Sequence, residues 1–523
     1  MTRVEKAAAS ISGFTLASRV LGLVRDVIMF RVLGASWVGG TFILAWTMPN
    51  LLRRLLGEGA LSASFIPAYA AAADRDPAAA RRLLAGVTGT LTMILAALTA
   101  LVWVLCAALP PSWLGHAADA GASATASGTL LVQLTALLFP YVIAVCLVAT
   151  YAGALNSLGV FGWPAALPVL LNVFWLAGLG VGAALASTAE GIARISGWFL
   201  LAAGVAQLAT MMLLLAKRGA MTAPRFSTSD PAVRKVFVSM APTVLGMSML
   251  QLNTLLDQVL AYYLIAPGAN SHIYVANRLL LFPHALTALA LATAVFPQLA
   301  VLASRTALDD LGAKVDRALR MTLFLATPAS AGLVLVAGDL LEVCFVGGAY
   351  TNEDAQLSAA TTACLVGGLP FVGVAQLCAR ALYAIGDLRS PARIATILVP
   401  VNLALNLVLV LGLGLGVPGL ALATSACAVA HAVVMWRALR RRCPIPALAP
   451  PWLARLGIAT AVMSAAVAAT RALLPADTTL ERAVFALALP IGIGITVYGA
   501  VHWSLGTAEV TRFAQTRGRG RRR

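Results

Sequence analysis

The chain has 523 residues, of which 60% are hydrophobic and only 11% charged, and its formal net charge is +17. That apolar content exceeds what a soluble globular protein buries, so lipid is the expected solvent and the chain reads as an all-α polytopic membrane protein. The positive balance would suggest nucleic acid beside a soluble chain. Here it fits cytoplasmic loops facing anionic membrane lipids, and no nucleic-acid partner is expected.

Fourteen windows of about 20 apolar residues follow one another: 8–33, 37–56, 83–108, 128–151, 163–186, 192–216, 236–265, 271–303, 318–338, 356–384, 391–414, 417–437, 452–474 and 482–506. The first is too long for a signal peptide and lacks a small-residue cleavage site after it, so no cleavage is expected. Only Gly34, Ala35 and Ser36 separate it from the second, and the two windows hold Arg19, Arg25, Arg31, Arg53 and Arg54. An arginine near the bilayer centre costs at least roughly 2.5–3.5 kcal/mol on insertion scales, so such a group calls for a polar cavity or an anionic partner. Snorkelling from helix ends covers Arg31 and Arg54. It does not cover Arg19, which lies deep in its window.

Asp26 follows Arg25 and stands seven residues after Arg19, near the same helical stripe, which leaves both an Arg19–Asp26 and an Arg25–Asp26 bridge open. Arg53 and Arg54 are adjacent and cannot share a face. Glu58, four residues after Arg54, has helical ion-pair spacing, which assigns Arg54 and Glu58 to a structural pair and leaves Arg53 as the ligand candidate.

Farther along, Asp257 is a carboxylate inside the seventh window, with Asn253 one turn before it. Two readings stay open: a hydrogen-bonded structural Asp, or a cation site shared with Asp387, since sodium takes oxygen ligands. Arg278 in the eighth window is expected to face a cavity rather than lipid. The five histidines are scattered without a catalytic arrangement. The seven cysteines stand singly, without CxxC or Cys–His metal spacing, and read as small apolar fillers; no metal is assigned.

Charge sets the expected orientation. With the N-terminus inside, 27 of the 37 basic residues fall on cytoplasmic segments and only Arg194, Arg471 and Arg482 on outer edges. Both termini are therefore expected in the cytoplasm.

Landmarks also recur about 230 residues apart: Pro67 with Pro297, Pro140 with Pro370, and Asn172 with Asn402, while Gly191 and Gly419 fall two residues off that register. Six helices separate each pair, so the copies share one orientation. The expected architecture is two parallel-repeat six-helix lobes, 1–218 and 219–443, then helices thirteen and fourteen in 444–508 and a basic tail in 509–523.

ASRVLGLVRD (Ala17–Asp26) and MPNLLRRLLGEGALSASFIP (Met48–Pro67) make the chain resemble the MurJ/MviN lipid II flippases of the multidrug/oligosaccharidyl-lipid/polysaccharide exporter superfamily. LNSLGVFGWPAALPVLLN (Leu155–Asn172), ANRLLLFP (Ala276–Pro283) and ALYAIGDLRSPARIA (Ala381–Ala395) extend the resemblance over almost the whole chain. It implies export of lipid II, the undecaprenyl-pyrophosphate-linked disaccharide-pentapeptide, to the outer leaflet of a bacterial cytoplasmic membrane by alternating access. The family's cavity arginines map onto Arg19, Arg25, Arg53 and Arg278. Planar, permanently charged guanidinium donors suit a pyrophosphate, and the last two helices resemble the family's groove for the lipid tail. No cofactor is implied; coupling to sodium or to the membrane potential, a monomeric state, and cell-wall synthesis proteins as partners are expectations of the same kind. The chain departs from many relatives by carrying Asn277, Leu281 and Gly40 where they carry acids. That makes the expected cavity more positive.

Two other functions compete. An exporter of another polyprenyl-linked glycan, or of a small molecule, shares the superfamily; buried arginines favour anionic over cationic cargo. A membrane glycosyltransferase or polymerase needs an acidic group on a substantial aqueous loop or a metal. The outer connections are short, and the longest, around Pro110–Ser127, has only Asp119. A transporter rather than an enzyme is expected.

Overall fold

The computed structural model describes residues 3–115, 122–227, 229–474, 480–507 and Glu509, apart from the side chains of 3–12, 58–60, 62–63, 122–123, 242–243, 245–250, 288–289 and 480–486. Asp119, the Glu58 side chain and the tail beyond Glu509 lie outside the described residues. Among those described there is no strand, only an isolated bridge between Gly347 and Tyr350.

Two compact units are present. The first comprises Met1–Ser271 with Gly347–Thr351, and the second His272–Val346 with Asn352–Arg523. In chain order the first half holds α1 (Arg3–Leu33), α2 (Trp37–Leu52), α3 (Ser62–Arg75), α4 (Pro77–Ala108), α5 (Pro111–Leu114), α6 (Ala122–Leu138), α7 (Tyr141–Ser157), α8 (Gly162–Leu185), α9 (Ala189–Lys217) and α10 (Pro231–Leu264). The second holds α11 (Ala269–His284), α12 (Ala290–Ser304), α13 (Leu308–Phe345), α14 (Asn352–Val366), α15 (Leu369–Ala384), α16 (Arg389–Leu407), α17 (Gly416–Arg440), α18 (Pro450–Leu473) and α19 (Leu480–Ser504).

Eleven helical stretches among the described residues are long and apolar enough to cross a membrane. They coincide with eleven of the fourteen windows. The other three windows, 8–33, 37–56 and 236–265, are helical as well, and they are the ones that hold Arg19 through Arg54 and Asp257.

Helix starts follow local chemistry. Asp76 accepts the backbone N–H groups of Ala78 and Ala79 at 2.8 and 3.0 Å ahead of α4, and Asp230 does the same for Ala232 ahead of α10. Both are followed by a proline whose missing N–H is not needed at that position.

Three π-helical turns, Arg53–Leu61, Ala285–Leu289 and Val408–Gly412, interrupt the ladder. Each follows a proline in the helix it continues, Pro49, Pro283 and Pro400. A proline inside a helix removes a donor and crowds the carbonyl four residues back, so the strain it adds lies before each π turn and not within it.

The element order repeats with the sequence landmarks. α2, its π turn and α3 cover 37–75, and α11, its π turn and α12 cover 269–304. Pro67 lies inside α3 and Pro297 inside α12. Asn172 of α8 and Asn402 of α16 are both buried.

The compact units nevertheless divide later than the 218/219 boundary drawn from the repeat, because α10 packs on α2, the Arg53–Leu61 turn, α3 and α4. The Gly347–Thr351 loop joins the first unit for a local reason. Ala349 N–H donates to the Arg31 carbonyl at 2.7 Å, and buried Tyr350 meets Phe30 edge-on at 5.6 Å. Gly34, at φ +70°, is what admits this loop: a side chain there would strike the Ala349 carbonyl.

In the second unit α18 and α19 are not a separate body. Leu456, Ala459, Met463, Val467 and Tyr498 form one core with Phe324 and Val336 of α13. Arg471 adds a bidentate pair to Asp339 at 2.5 and 2.6 Å.

Candidate functional site

In the first unit α1 lies along α8, and that packing decides the fate of its arginines. Arg25 is buried at 5% exposure. Its Nε and Nη2 donate to Asp26 Oδ1 at 3.0 and 2.6 Å, and its Nη1 donates to Asn172 Oδ1 at 2.9 Å. The guanidinium carbon lies 4.1 Å from the centre of the Trp175 ring. Of the two bridges left open by the sequence, the structure forms Arg25–Asp26.

An aromatic row backs this site. Trp175 meets Phe42 at 5.8 Å and Trp46 at 5.0 Å, and Trp46 meets Tyr141 at 5.2 Å. A buried ion pair held by a polar amide and an aromatic face is an arrangement that α1 keeps as part of its packing. Arg25 therefore reaches a substrate only if this cluster opens, whereas Arg19, on the same helix, is exposed.

Arg53 opens the π turn and is half-buried. Its Nε and Nη2 donate to Asn50 Oδ1 at 3.2 and 3.1 Å, one turn back. Arg54 is half-buried beside it; its pairing with Glu58 lies outside the described residues.

In the second unit Arg278 is half-buried on α11, with its guanidinium carbon 5.7 Å from the Tyr274 ring centre. Asn277 is turned back on its own helix, donating to the Ile273 carbonyl at 2.9 Å. Leu281 is exposed.

Gly40 sits against a close neighbour. Asn270 Nδ2 donates to the Gly40 carbonyl at 2.8 Å, and any Cβ at residue 40 would collide with Asn270 Oδ1. The amide thus fills the space that a side chain on residue 40 would need.

The pair Asp257 and Asp387 divides between the units. Asp257 is buried on α10. Asp387 sits in the turn between α15 and α16. It accepts the Ser390 N–H at 2.9 Å and the Ser390 hydroxyl at 2.7 Å, and its carboxylate lies 3.7 Å from Arg442. The Ser390 hydroxyl, then the Ser390 N–H, hold this carboxyl below the usual range. Those contacts tie Asp387 to the first turn of α16. No group of three or more His, Cys, Asp or Glu side chains able to hold a metal occurs among the described residues.

Sequence reasoning marked Asn172 only as a repeat landmark and gave Trp175 no role. Their spacing, three residues apart on an otherwise apolar helix, was the available signal.

Comparison with known proteins now bears on this arrangement. Residues 29–489 match the family described as lipid II flippase MurJ. The chain is 32% identical over 526 residues to a probable lipid II flippase MurJ of Vibrio cholerae serotype O1, covering 96% of each. It is 31% identical over 454 residues to the lipid II flippase MurJ of Burkholderia cenocepacia, covering 86% of each.

Among solved structures, a lipid II flippase MurJ in an inward closed conformation aligns with a TM-score of 0.77 at 22% identity, over 95% of this chain and 99% of that one. An inward-facing multidrug resistance transporter of the MATE family, from the MOP superfamily, aligns with a TM-score of 0.65 at 14% identity, over 81% and 94%. The fold is that of this transporter superfamily, and the sequence match over nearly the full length shows that the chain belongs to the MurJ family of lipid II flippases.

Proposed function

We propose that this protein carries lipid II from the inner to the outer leaflet of the bacterial cytoplasmic membrane by alternating access, as fourteen membrane helices built from two parallel six-helix lobes and a C-terminal pair. Both termini are cytoplasmic in this reading, which rests on the lysine and arginine bias of the loops. The observation that carries the substrate is the family match over residues 29–489. The chemistry agrees with it: exposed Arg19 and half-buried Arg53 and Arg278 offer charge-assisted donors to a pyrophosphate, and Arg25 joins them when its cluster opens.

An anion moving outward travels toward the positive side, and the membrane potential favours this by about 2.3 kcal/mol per charge per 100 mV. Coupling to the membrane potential is one drive this reading offers, and a sodium site at Asp257 and Asp387 is the alternative. A doubly charged cargo and an arginine-lined site argue against cationic drugs, while another polyprenyl-linked glycan would satisfy the same charges.

Expression in a bacterium depleted of its own family member tests the reading. Restored growth, with labelled lipid II appearing at the outer leaflet, is the expected result. Continued accumulation of lipid II at the inner leaflet, despite normal amounts of the protein in the membrane, would refute it.

A further inference from the structure

The second unit carries another cation inside an apolar stretch. Arg380 is half-buried on α15, within the membrane-length stretch Asn352–Ala384. Three other arginines of this unit are matched to carboxylates: Arg320 to Asp316 at 2.8 Å, Arg471 to Asp339 at 2.5 Å and Arg442 to Asp387 at 3.7 Å. Arg380 has no such pair among the described residues. Its guanidinium carbon lies 5.8 Å from the centre of the Phe296 ring on α12.

Gln376 stands one turn earlier on the same face of α15. Its side-chain nitrogen is 3.3 Å from His284 Nε2, and the oxygen of the same amide has no partner among the described residues. Tyr383 continues the face and is exposed at 44%. A half-buried arginine, an incompletely bonded amide and an imidazole thus converge within one unit, next to an aromatic ring.

Snorkelling is the simplest competing account, because Arg380 is four residues from the end of α15. It fits poorly. Side chains on a helix lean toward its N-terminus, which on α15 is the direction away from that nearer end. The ring of Phe296 also holds the guanidinium against a neighbouring helix. An arginine so placed in a membrane segment, with no carboxylate, calls for an anion or a polar cavity.

We propose that Arg380, supported by Gln376 and His284, is a second anion subsite that holds an oxyanion of the cargo headgroup nearer the cytoplasmic end than Arg278. This rests on the lipid II reading above. The oxyanion is a phosphate of the pyrophosphate or a carboxylate of the stem peptide; both offer the paired oxygens that a guanidinium fork takes.

Binding to the purified full-length protein, with lipid II and with undecaprenyl pyrophosphate as separate probes, tests the subsite. Arg380→Gln is expected to weaken lipid II binding by about tenfold or more, the range for losing a charge-assisted hydrogen bond. A parallel loss for undecaprenyl pyrophosphate assigns the phosphate, and a loss confined to lipid II assigns the peptide carboxylate. Arg380→Lys keeps the charge without the planar fork and should show a smaller, severalfold loss. If Arg380→Gln does not fold, as judged by thermal unfolding, the Lys variant decides alone. Unchanged lipid II affinity in the variants that fold overturns the subsite while leaving the functional reading intact. Failure of the unaltered protein to bind lipid II overturns both.

Discussion

Asn172 holds Arg25 from the side: its Oδ1 accepts the Arg25 Nη1 hydrogen bond at 2.9 Å, while its own Nδ2 donates to the Ser18 carbonyl at 3.0 Å. One amide on α8 therefore grips α1 at two points, and Gly22 lies between them with its Cβ position 3.7 Å from Asn172 Nδ2. Ser18 adjoins Arg19, so the same clasp orients the turn that presents the exposed arginine. A long helix with several charges is thereby fixed in rotation as well as position.

Replacing Asn172 by Leu should remove both contacts and leave a buried guanidinium donor unmatched. A loss of about 1.5–3 kcal/mol is the ordinary cost for a hydrogen bond to a charged group. Thermal unfolding in detergent should register it, together with slower lipid II transport. An unchanged unfolding temperature would mean that the clasp does not hold α1.

Arg19→Ala and Arg278→Ala should each abolish support of cell-wall synthesis while leaving the amount of protein in the membrane near normal. Lysine at either position should rescue only in part, since an ammonium lacks the planar fork. Full growth with both alanine variants would remove these residues from the transport path.

Much of this arrangement is legible in the sequence, for physical reasons. Apolar windows marked the helices because lipid tolerates few charges, and the charges that break that rule, from Arg19 to Arg54 and at Arg278, lie in the segments that set the candidate site. What the sequence hid were contacts made across helices. Nothing in α1 alone discloses the partners that bury Arg25, Asn172 and Trp175, which stand 147 and 150 positions away. Asp387 was open as part of a cation site, and the structure gives it Ser390, three residues on, as its partner near the start of α16. The placement of α10 with the first unit was equally invisible, because its packing on α2, α3 and α4 is made across helices.

Gly40→Asp should impair this protein. The new side chain would collide with Asn270, and overpacking of this kind costs about 1–3 kcal/mol. Shortening the neighbour in the double variant Gly40→Asp/Asn270→Ala should recover stability only in part, because the Gly268 backbone lies as close as 3.0 Å to the new Cβ. Growth complementation and thermal unfolding would check both; a fully active Gly40→Asp single variant would show that the α2 contact with Asn270 yields freely.

Cysteines placed singly in the Arg75–Arg82 and Arg437–Arg442 connections should be labelled only when the reagent reaches the cytoplasmic face. The bias of 27 basic residues inside against three outside sets this expectation. Labelling by an impermeant reagent in intact cells would invert the topology.

The most direct measurement is leaflet exchange in proteoliposomes containing the purified protein, with lipid II loaded on one side and its appearance on the other followed with time. Protein-dependent transfer of lipid II, much faster than that of a polyprenyl-linked glycan from another pathway and lost with Arg19→Ala, is the expected result. Transfer no faster than in protein-free liposomes, or equal transfer by the Arg19→Ala variant, would contradict a lipid II flippase that works through its arginines.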